Sequence, residues 1–259
     1  MNIKRIVVLV STGRHPTSGV LRHCRNDSLA LTIGIDLSHS DAAKLDVLHA
    51  GNANNPALMD YLALGADQIS VIPTEPDTDI VDSLAERLGD TDLILTGSRA
   101  ENGQDSGLLP YLLAEKLNIP TVANVLEVRQ IGDKLEALQF FPKGKRRRVA
   151  VNLPAVIAIH PLAAVELRFA YARQLQGKIH SLSIPVDRNQ ATSIMQWQIQ
   201  QATRKPNKLK AQENLTGHER LLSAITSENK GGTVVNDGNS VEKAQVILSY
   251  LREHQLITF

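Results

Sequence analysis

The stretch that decides the fold is DLILTGSRAENGQDSGLLPYLLAEKLNIP, residues 92–120. Its apolar residues 93–96 predict a buried strand, and a loop of small and polar residues follows. Beyond the loop, four leucines recur at helical spacing, Leu108, Leu112, Leu113 and Leu117, and Pro120 ends the segment. The stretch therefore predicts a strand, a loop and an amphipathic helix, in that order.

Two interpretations of this loop stay open. Backbone N–H groups at the start of a helix are unpaired and attract anions. Gly97, Gly103 and Gly107 would let a ligand approach the main chain closely. The loop is therefore either part of a nucleotide-binding site or an ordinary connection between a strand and a helix.

Upstream of this stretch, the sequence alternates between predicted strands and predicted helices. Strands are predicted at residues 6–10, 45–50 and 68–72, helices at residues 57–64 and 80–88, and a loop at residues 14–25. Residues 28–38 suit a helix, although alternate apolar residues also suit a strand. We predict a helix capped by Asn26 and Asp27, because parallel strands need a crossover. The order predicts an α/β fold with a doubly wound, mainly parallel, Rossmann-like sheet.

After Pro120 the pattern changes to short alternating segments. They predict antiparallel edge strands at residues 122–131, 134–141 and 146–151, a strand at 153–159, and a helix at 166–176. From residue 186 the chain is mostly polar, and a short strand is predicted at residues 233–235. A helix is predicted at residues 240–254, with an apolar stripe formed by Ala244, Ile247, Leu248 and Leu251. We predict a nucleotide-binding-like domain at residues 1–185 and a C-terminal arm at 186–259 whose helix docks on a partner subunit.

Composition narrows the class of protein. The net charge is +1 and aromatic residues make up 3% of the chain, so the basic run at residues 143–148 is expected to be a hairpin turn rather than a nucleic-acid site. Cys24 is the one cysteine, which excludes an internal disulfide. The sequence begins in a strand without a signal segment, and no apolar run is long enough to span a bilayer. We expect a cytoplasmic protein that is not embedded in a membrane.

The sequence lacks the usual motifs of catalysis. It contains no Gly-x-Ser-x-Gly elbow and no Walker loop, and residues 11–13 lack the spacing of the dinucleotide fingerprint. The eight histidines show no pair at metal-ligand spacing. We therefore expect neither a catalytic site nor a metal site, which favours a carrier or binding protein over a hydrolase.

Three phrases follow one another along the chain: ALMDYLALGADQISVI at residues 57–72, the loop and helix of residues 97–120, and RRRVAVNLPAVIAI at residues 146–159. In this order they resemble the β subunit of electron-transfer flavoproteins. The ordered set of phrases covers residues 45–179. The resemblance implies a heterodimer with an α subunit that carries most of an FAD, which the β subunit covers.

The resemblance also implies a site for AMP at the carboxyl edge of the sheet. It would lie between the ends of two strands and the loop of residues 102–108, and its contacts would be Val10, Ser11, Ala50, Gly51, Asn102, Gln104, Asp105, Ser106, Gly107 and Leu108. Backbone N–H groups of Ser106 and Gly107 would meet the phosphate. Asn102 and Gln104 stand where family members often carry aspartates, and a second, bifurcating FAD is not expected.

By the same resemblance, the protein is an electron carrier and not an enzyme by itself. A flavin-dependent dehydrogenase would be the electron donor and a quinone reductase the acceptor. We expect the loop at residues 160–166 to recognise the donor through Leu162, Val165 and Glu166, because an apolar tip can dock weakly and release quickly. The other reading of this loop is a buried connection.

Two other functions remain as alternatives. One is an AMP- or ATP-binding sensor of the universal-stress type without redox partners, which would have little use for an apolar helix behind a polar arm. The other is an enzyme of the adenylating class, which would need a glycine-rich pyrophosphate loop near residues 11–19. That segment reads STGRHPTSG and is poor in glycine.

Overall fold

Eleven strands and six helices follow one another along the described part of the chain. The computed structural model describes residues 3–74, 79–101, 105–132, 134–182, 216–217 and 235–253. The strands are β1 (Arg5–Leu9), β2 (Thr12–Arg14), β3 (Leu21–His23), β4 (Lys44–Gly51), β5 (Gln68–Pro73), β6 (Leu93–Gly97), β7 (Thr121–Ile131), β8 (Lys134–Phe140), β9 (Arg146–Val151), β10 (Ala155–Ile159) and β11 (Lys178–Ser181). The helices are α1 (Arg25–Asp41), α2 (Leu58–Leu64), α3 (Val81–Leu88), α4 (Leu109–Leu117), α5 (Tyr171–Gln176) and α6 (Ser240–Glu253).

A nine-stranded mixed sheet forms the centre of the fold. Its order is β11-β5-β4-β1-β6-β10-β7-β8-β9, and the strands are parallel from β11 to β7. The last three, β7, β8 and β9, are antiparallel. The predicted α/β class, the doubly wound parallel sheet and the antiparallel edge are confirmed.

The core lies on both faces of the sheet. Ile6 and Val8 of β1 belong to one buried cluster, which also contains the apolar residues of α1 and α2. Val7 and Leu9 point into a second cluster, which contains residues of α3 and α4. A strand buried on both faces needs a continuous apolar run, which explains why residues 6–10 are all apolar.

Helix α1 settles the ambiguity between helix and strand. It spans Arg25–Asp41, and Gly34 lies close against the Val8 side chain, so the helix packs directly on β1. The apolar spacing that also suited a strand therefore forms the wide buried face of a helix. Asn26 and Asp27 do not cap it as predicted, because Cys24 is the N-cap residue and no side chain bonds the cap.

Two predictions of local structure were wrong, and one strand was missed. The predicted loop of residues 14–25 contains most of the β2–β3 hairpin, whose strands of three residues are too short to leave a periodic pattern. The predicted helix at residues 166–176 begins only at Tyr171. Strand β11 was missed because it is an exposed edge strand with polar residues, paired on one side with β5.

The chain divides into two compact units, Met1–Ile199 and Gln200–Phe259. In the second unit, the predicted C-terminal helix is confirmed as α6. It begins with a capping box, in which the Glu242 amide donates to Asn239 Oδ1 at 2.9 Å and the Asn239 amide donates to Glu242 Oε2 at 3.1 Å. The predicted boundary at residues 185–186 and most of the predicted strand at 233–235 lie outside the described residues.

Candidate functional site

The candidate site is the crevice where the order of the sheet reverses. Strands β1 and β6 are neighbours, but the chain continues from β1 to β4 on one side and from β6 toward β7 and β10 on the other. In open α/β sheets, ligands bind outside the carboxyl ends of the strands at such a point. Val10 and Ser11 follow β1, and Ser98 follows β6, so these residues border the crevice.

A buried carboxylate from the first turn of α1 fills this crevice. Asp27 Oδ2 accepts hydrogen bonds from the Ser11 amide at 2.8 Å and from the Ser11 hydroxyl at 2.5 Å. Its Oδ1 accepts a hydrogen bond from the Gly97 amide at 2.9 Å. One side chain therefore joins the ends of β1 and β6 to the start of α1.

Burial sets the ionisation of this carboxylate. Desolvation raises the pKa of Asp27 from 3.8 to about 6, and the hydrogen bonds from Ser11 and Gly97 offset part of that rise. At neutral pH the group is therefore mainly ionised, with three donors around its negative charge.

Tyr61 completes the hydrogen bonding of Ser11. Its hydroxyl donates to the Ser11 carbonyl at 2.6 Å and accepts from the Cys24 amide at 2.9 Å. Burial raises the pKa of Tyr61 well above its ordinary value and the pKa of the Cys24 thiol to about 12. Cys24 is therefore a neutral buried thiol, not a thiolate nucleophile.

His49 plays a similar structural role at the end of β4. Its Nδ1 donates to the Val10 carbonyl at 2.8 Å, and burial lowers the pKa of its imidazole. Gly51 has a φ of +151°, and a Cβ at that position would lie 2.6 Å from His49 Nε2. Glycine at position 51 is thus required by both the backbone and the imidazole.

The loop after β6 holds the remaining predicted contacts. Arg99 Nε pairs with Asp105 at 2.9 Å, and Gly107 has a φ of +68° with a Cβ position only 3.0 Å from the Ser98 carbonyl. Among the described residues, the amides of Ser106 and Gly107 have no hydrogen-bond partner. These two amides precede α4, while the predicted contacts at Asn102 and Gln104 lie outside the described residues.

Sequence reasoning missed the residue that fixes this loop to the hairpin. Glu101 Oε2 pairs with Arg22 at 2.7 Å, and its Oε1 accepts from the Arg25 amide at 3.3 Å. A Cβ on Gly13 would lie 2.7 Å from the Glu101 Cβ, so the loop packs directly on β2. No local pattern could have revealed these contacts, because they join residues about eighty positions apart.

Comparison with known proteins agrees with this fold. Residues 25–186 match the family model of the electron transfer flavoprotein domain. A protein named electron transfer flavoprotein subunit beta, from Chromohalobacter salexigens, is 36% identical over 260 residues, which covers 97% of this chain and 95% of that one. The chain belongs to the electron-transfer flavoprotein β-subunit family. Family membership favours the carrier interpretation over the sensor and the adenylating enzyme.

In this family member, the loop predicted to recognise a donor is partly exposed. Leu162 is 64% exposed, whereas Val165 is half-buried and Ala163 beside it is buried. Glu166 pairs with Arg168 at 2.7 Å, and this ion pair lowers the pKa of the Glu166 carboxyl. Leu162 is therefore the apolar tip of the loop, while Val165 faces the core and is less available to a partner.

The residues that follow this loop form an apolar surface that sequence reasoning did not single out. Tyr171 is 71% exposed, Leu175 is 66% exposed, and Phe169 is also exposed. The Phe169 ring lies 5.3 Å from the ring of His23, which in turn pairs with Asp60 at 2.9 Å. Exposed apolar side chains thus recur along the segment from Leu162 to α5.

A groove of about 810 Å³ lies at the opposite, amino edge of the sheet, between the end of α1, the end of α2 and α5. Arg173 in its wall donates to the Leu64 carbonyl at 3.2 Å, and its guanidinium therefore caps α2. Within the described ranges, no three His, Cys, Asp or Glu side chains come together as a metal site would require. Nor does any helix described there combine the length and apolar character needed to cross a membrane.

Proposed function

We propose that this chain is the β subunit of an electron-transfer flavoprotein that forms a heterodimer with an FAD-carrying α subunit. The observation that carries the proposal is the 36% identity to a named β subunit over almost the full length of both chains. The heterodimer accepts electrons from a flavin-dependent dehydrogenase and passes them toward a quinone reductase in the cytoplasm. The chain has no catalytic role of its own.

The β subunit contributes surface and shelter rather than chemistry. Bound FAD supplies the redox chemistry, and the β subunit covers it and keeps water away. Exposed apolar side chains on both units are available for such contacts: Leu162, Phe169, Tyr171 and Leu175 on the first, and Val241, Val246 and Ile247 on α6. Exposed apolar side chains that lie together on a surface are typical of sites that bind another protein.

The residues present fit AMP only in part. The amides of Ser106 and Gly107, which precede α4 and have no hydrogen-bond partner within the described residues, suit a phosphate. Among the described residues, the end of β1 offers no free donor, because the amide and hydroxyl of Ser11 donate to Asp27 and the Val10 amide donates to Leu48. The phosphate of a bound AMP would therefore take its hydrogen bonds from the loop after β6.

Co-expression with the α subunit tests the proposal. The chain expressed alone should be colourless, whereas co-expression should yield a yellow heterodimer with the absorption spectrum of a flavin. Mass analysis of the small molecules extracted from the complex identifies the flavin and shows whether AMP accompanies it. A stable, flavin-binding monomer would contradict the proposal.

A further inference from the structure

Three hydrogen-bond donors converge where β1 and β6 end. The Ser11 amide, the Ser11 hydroxyl and the Gly97 amide all reach the carboxylate of Asp27 at 2.5–2.9 Å. Main-chain donors that converge at the carboxyl edge of a parallel sheet form a binding place for an anion. In this chain, the anion that they bind is a side chain.

The carboxylate leaves no room for a second anion. Asp27 is 5% exposed, and a Cβ on Gly97 would lie 2.3 Å from Asp27 Oδ1 and 2.7 Å from the Asn26 Cβ. The remaining polar group of Ser11, its carbonyl, accepts from the Tyr61 hydroxyl. Both strand ends are thus closed by contacts within the chain.

Asp27 does not serve its own helix. An acidic residue in the first turn usually bonds the free amides of that turn. Here α1 has no side-chain cap, and the Cys24 amide is bonded to the Tyr61 hydroxyl instead. The side chain is directed away from its helix and across the crevice.

We propose that Asp27 is an internal anion that replaces the anionic group of a ligand between β1 and β6. The crevice at the switch point is therefore closed to a phosphate, and the chain joins these two strands without a bound nucleotide between them. This inference concerns the chain alone and stands apart from the proposed redox function.

Chemical rescue of the full-length chain tests this inference. Asp27→Ala removes the carboxylate and leaves its three donors around a small cavity. Formate has the size of the missing group. It should therefore raise the melting temperature of this variant in a saturable way, relative to the melting temperature in sodium chloride at the same ionic strength. Wild type and Asp36→Ala, which removes an exposed carboxylate from the same helix, should show no such rise. Failure of formate to act on Asp27→Ala, or an equal rise in wild type, would overturn the proposal.

A second measurement decides the matter if Asp27→Ala does not fold. Hydrogen exchange of the Ser11 and Gly97 amides is followed in wild type as AMP is added. These rates should stay constant, because both amides are already bonded to Asp27. In Asp27→Asn, exchange should be faster at one or both of these amides, because the single remaining acceptor oxygen cannot serve both strand ends, while the amide of Val8 inside β1 exchanges as before. Slower exchange at Ser11 and Gly97 on addition of AMP, or unchanged protection in Asp27→Asn, would refute the internal-anion role.

Discussion

Asp27→Asn should lower the stability of the fold at neutral pH. The substitution keeps the size of the side chain but replaces one carboxylate oxygen by an NH₂ group, which cannot accept. Three donors, two from Ser11 and one from Gly97, then face a single acceptor oxygen. At least one buried donor loses its partner, at about 1–3 kcal/mol. The expected loss in the free energy of unfolding at pH 7.5 is therefore about 1–3 kcal/mol.

The same variant should also change how stability depends on pH. The ordinary pKa of an Asp side chain is 3.8, and burial raises the pKa of Asp27 in the folded protein to about 6. The folded state therefore binds the proton more tightly than the unfolded state does. The resulting contribution of Asp27 to the free energy of unfolding is fully present below the ordinary pKa and is lost as the pH rises through about 6. Between pH 7.5 and pH 5, the wild type should gain about 1 kcal/mol in the free energy of unfolding from Asp27. Asp27→Asn lacks this gain.

Urea unfolding of the full-length chain at the two pH values, followed by far-ultraviolet circular dichroism, measures both effects. The deficit of Asp27→Asn should grow by about 1 kcal/mol from pH 7.5 to pH 5. Asp36→Asn controls for the loss of an exposed carboxylate on the same helix. If the deficit of Asp27→Asn is the same at both pH values, burial does not raise the pKa of Asp27 in the folded protein, which contradicts the structure.

Three further predictions test other parts of the molecule. Gly97→Ala places a Cβ 2.3 Å from Asp27 Oδ1 and should lower the free energy of unfolding in urea by about 1–3 kcal/mol. The matched Gly89→Ala places its Cβ in open space and should cost much less. Equal losses in the two variants would contradict the close contact. Deletion of residues 206–259 should weaken association with the α subunit while the sheet stays folded, which a cooperative urea transition of the shortened chain would show; unchanged association in analytical ultracentrifugation would exclude the arm from the interface. Leu162→Asp should slow reduction of the flavin by the donor dehydrogenase and change stability by less than about 0.5 kcal/mol, because Leu162 is exposed; an unchanged rate would exclude Leu162 from recognition.

The sheet could be predicted because its signals are local and strong. Continuous apolar runs mark central strands such as β1 and β6, and the helices between them carry one apolar face each. The ends of α2 and α4 were equally predictable, since Gly65 caps α2 and Pro120 lies two residues beyond Asn118, the residue that caps α4. Elements of three or four residues, such as β2 and β11, carry too few positions for a period to be visible.

The site was less predictable because its contacts are distant in sequence. Asp27 bonds residues 16 positions before it and 70 positions after it. From the sequence alone, an acidic residue ahead of an apolar run indicates a helix cap, and that is what we predicted. Only the meeting of β1 and β6 at the switch point makes the same carboxylate a link between strands.

The family match and the geometry of the crevice support different conclusions about ligand binding. The match to the electron-transfer flavoprotein domain covers residues 25–186, which include Asp27 and Gly97 but not Ser11. Two of the three donors around the carboxylate therefore come from a segment that the family model does not cover. Membership in the family supports the sheet and the pairing with an α subunit. Contacts of a nucleotide with Val10 and Ser11 depend instead on a segment outside the family match, in which Ser11 donates to the carboxylate of Asp27. The hydrogen exchange of the Ser11 amide is thus a more direct test of nucleotide binding at this edge than any further comparison of sequences.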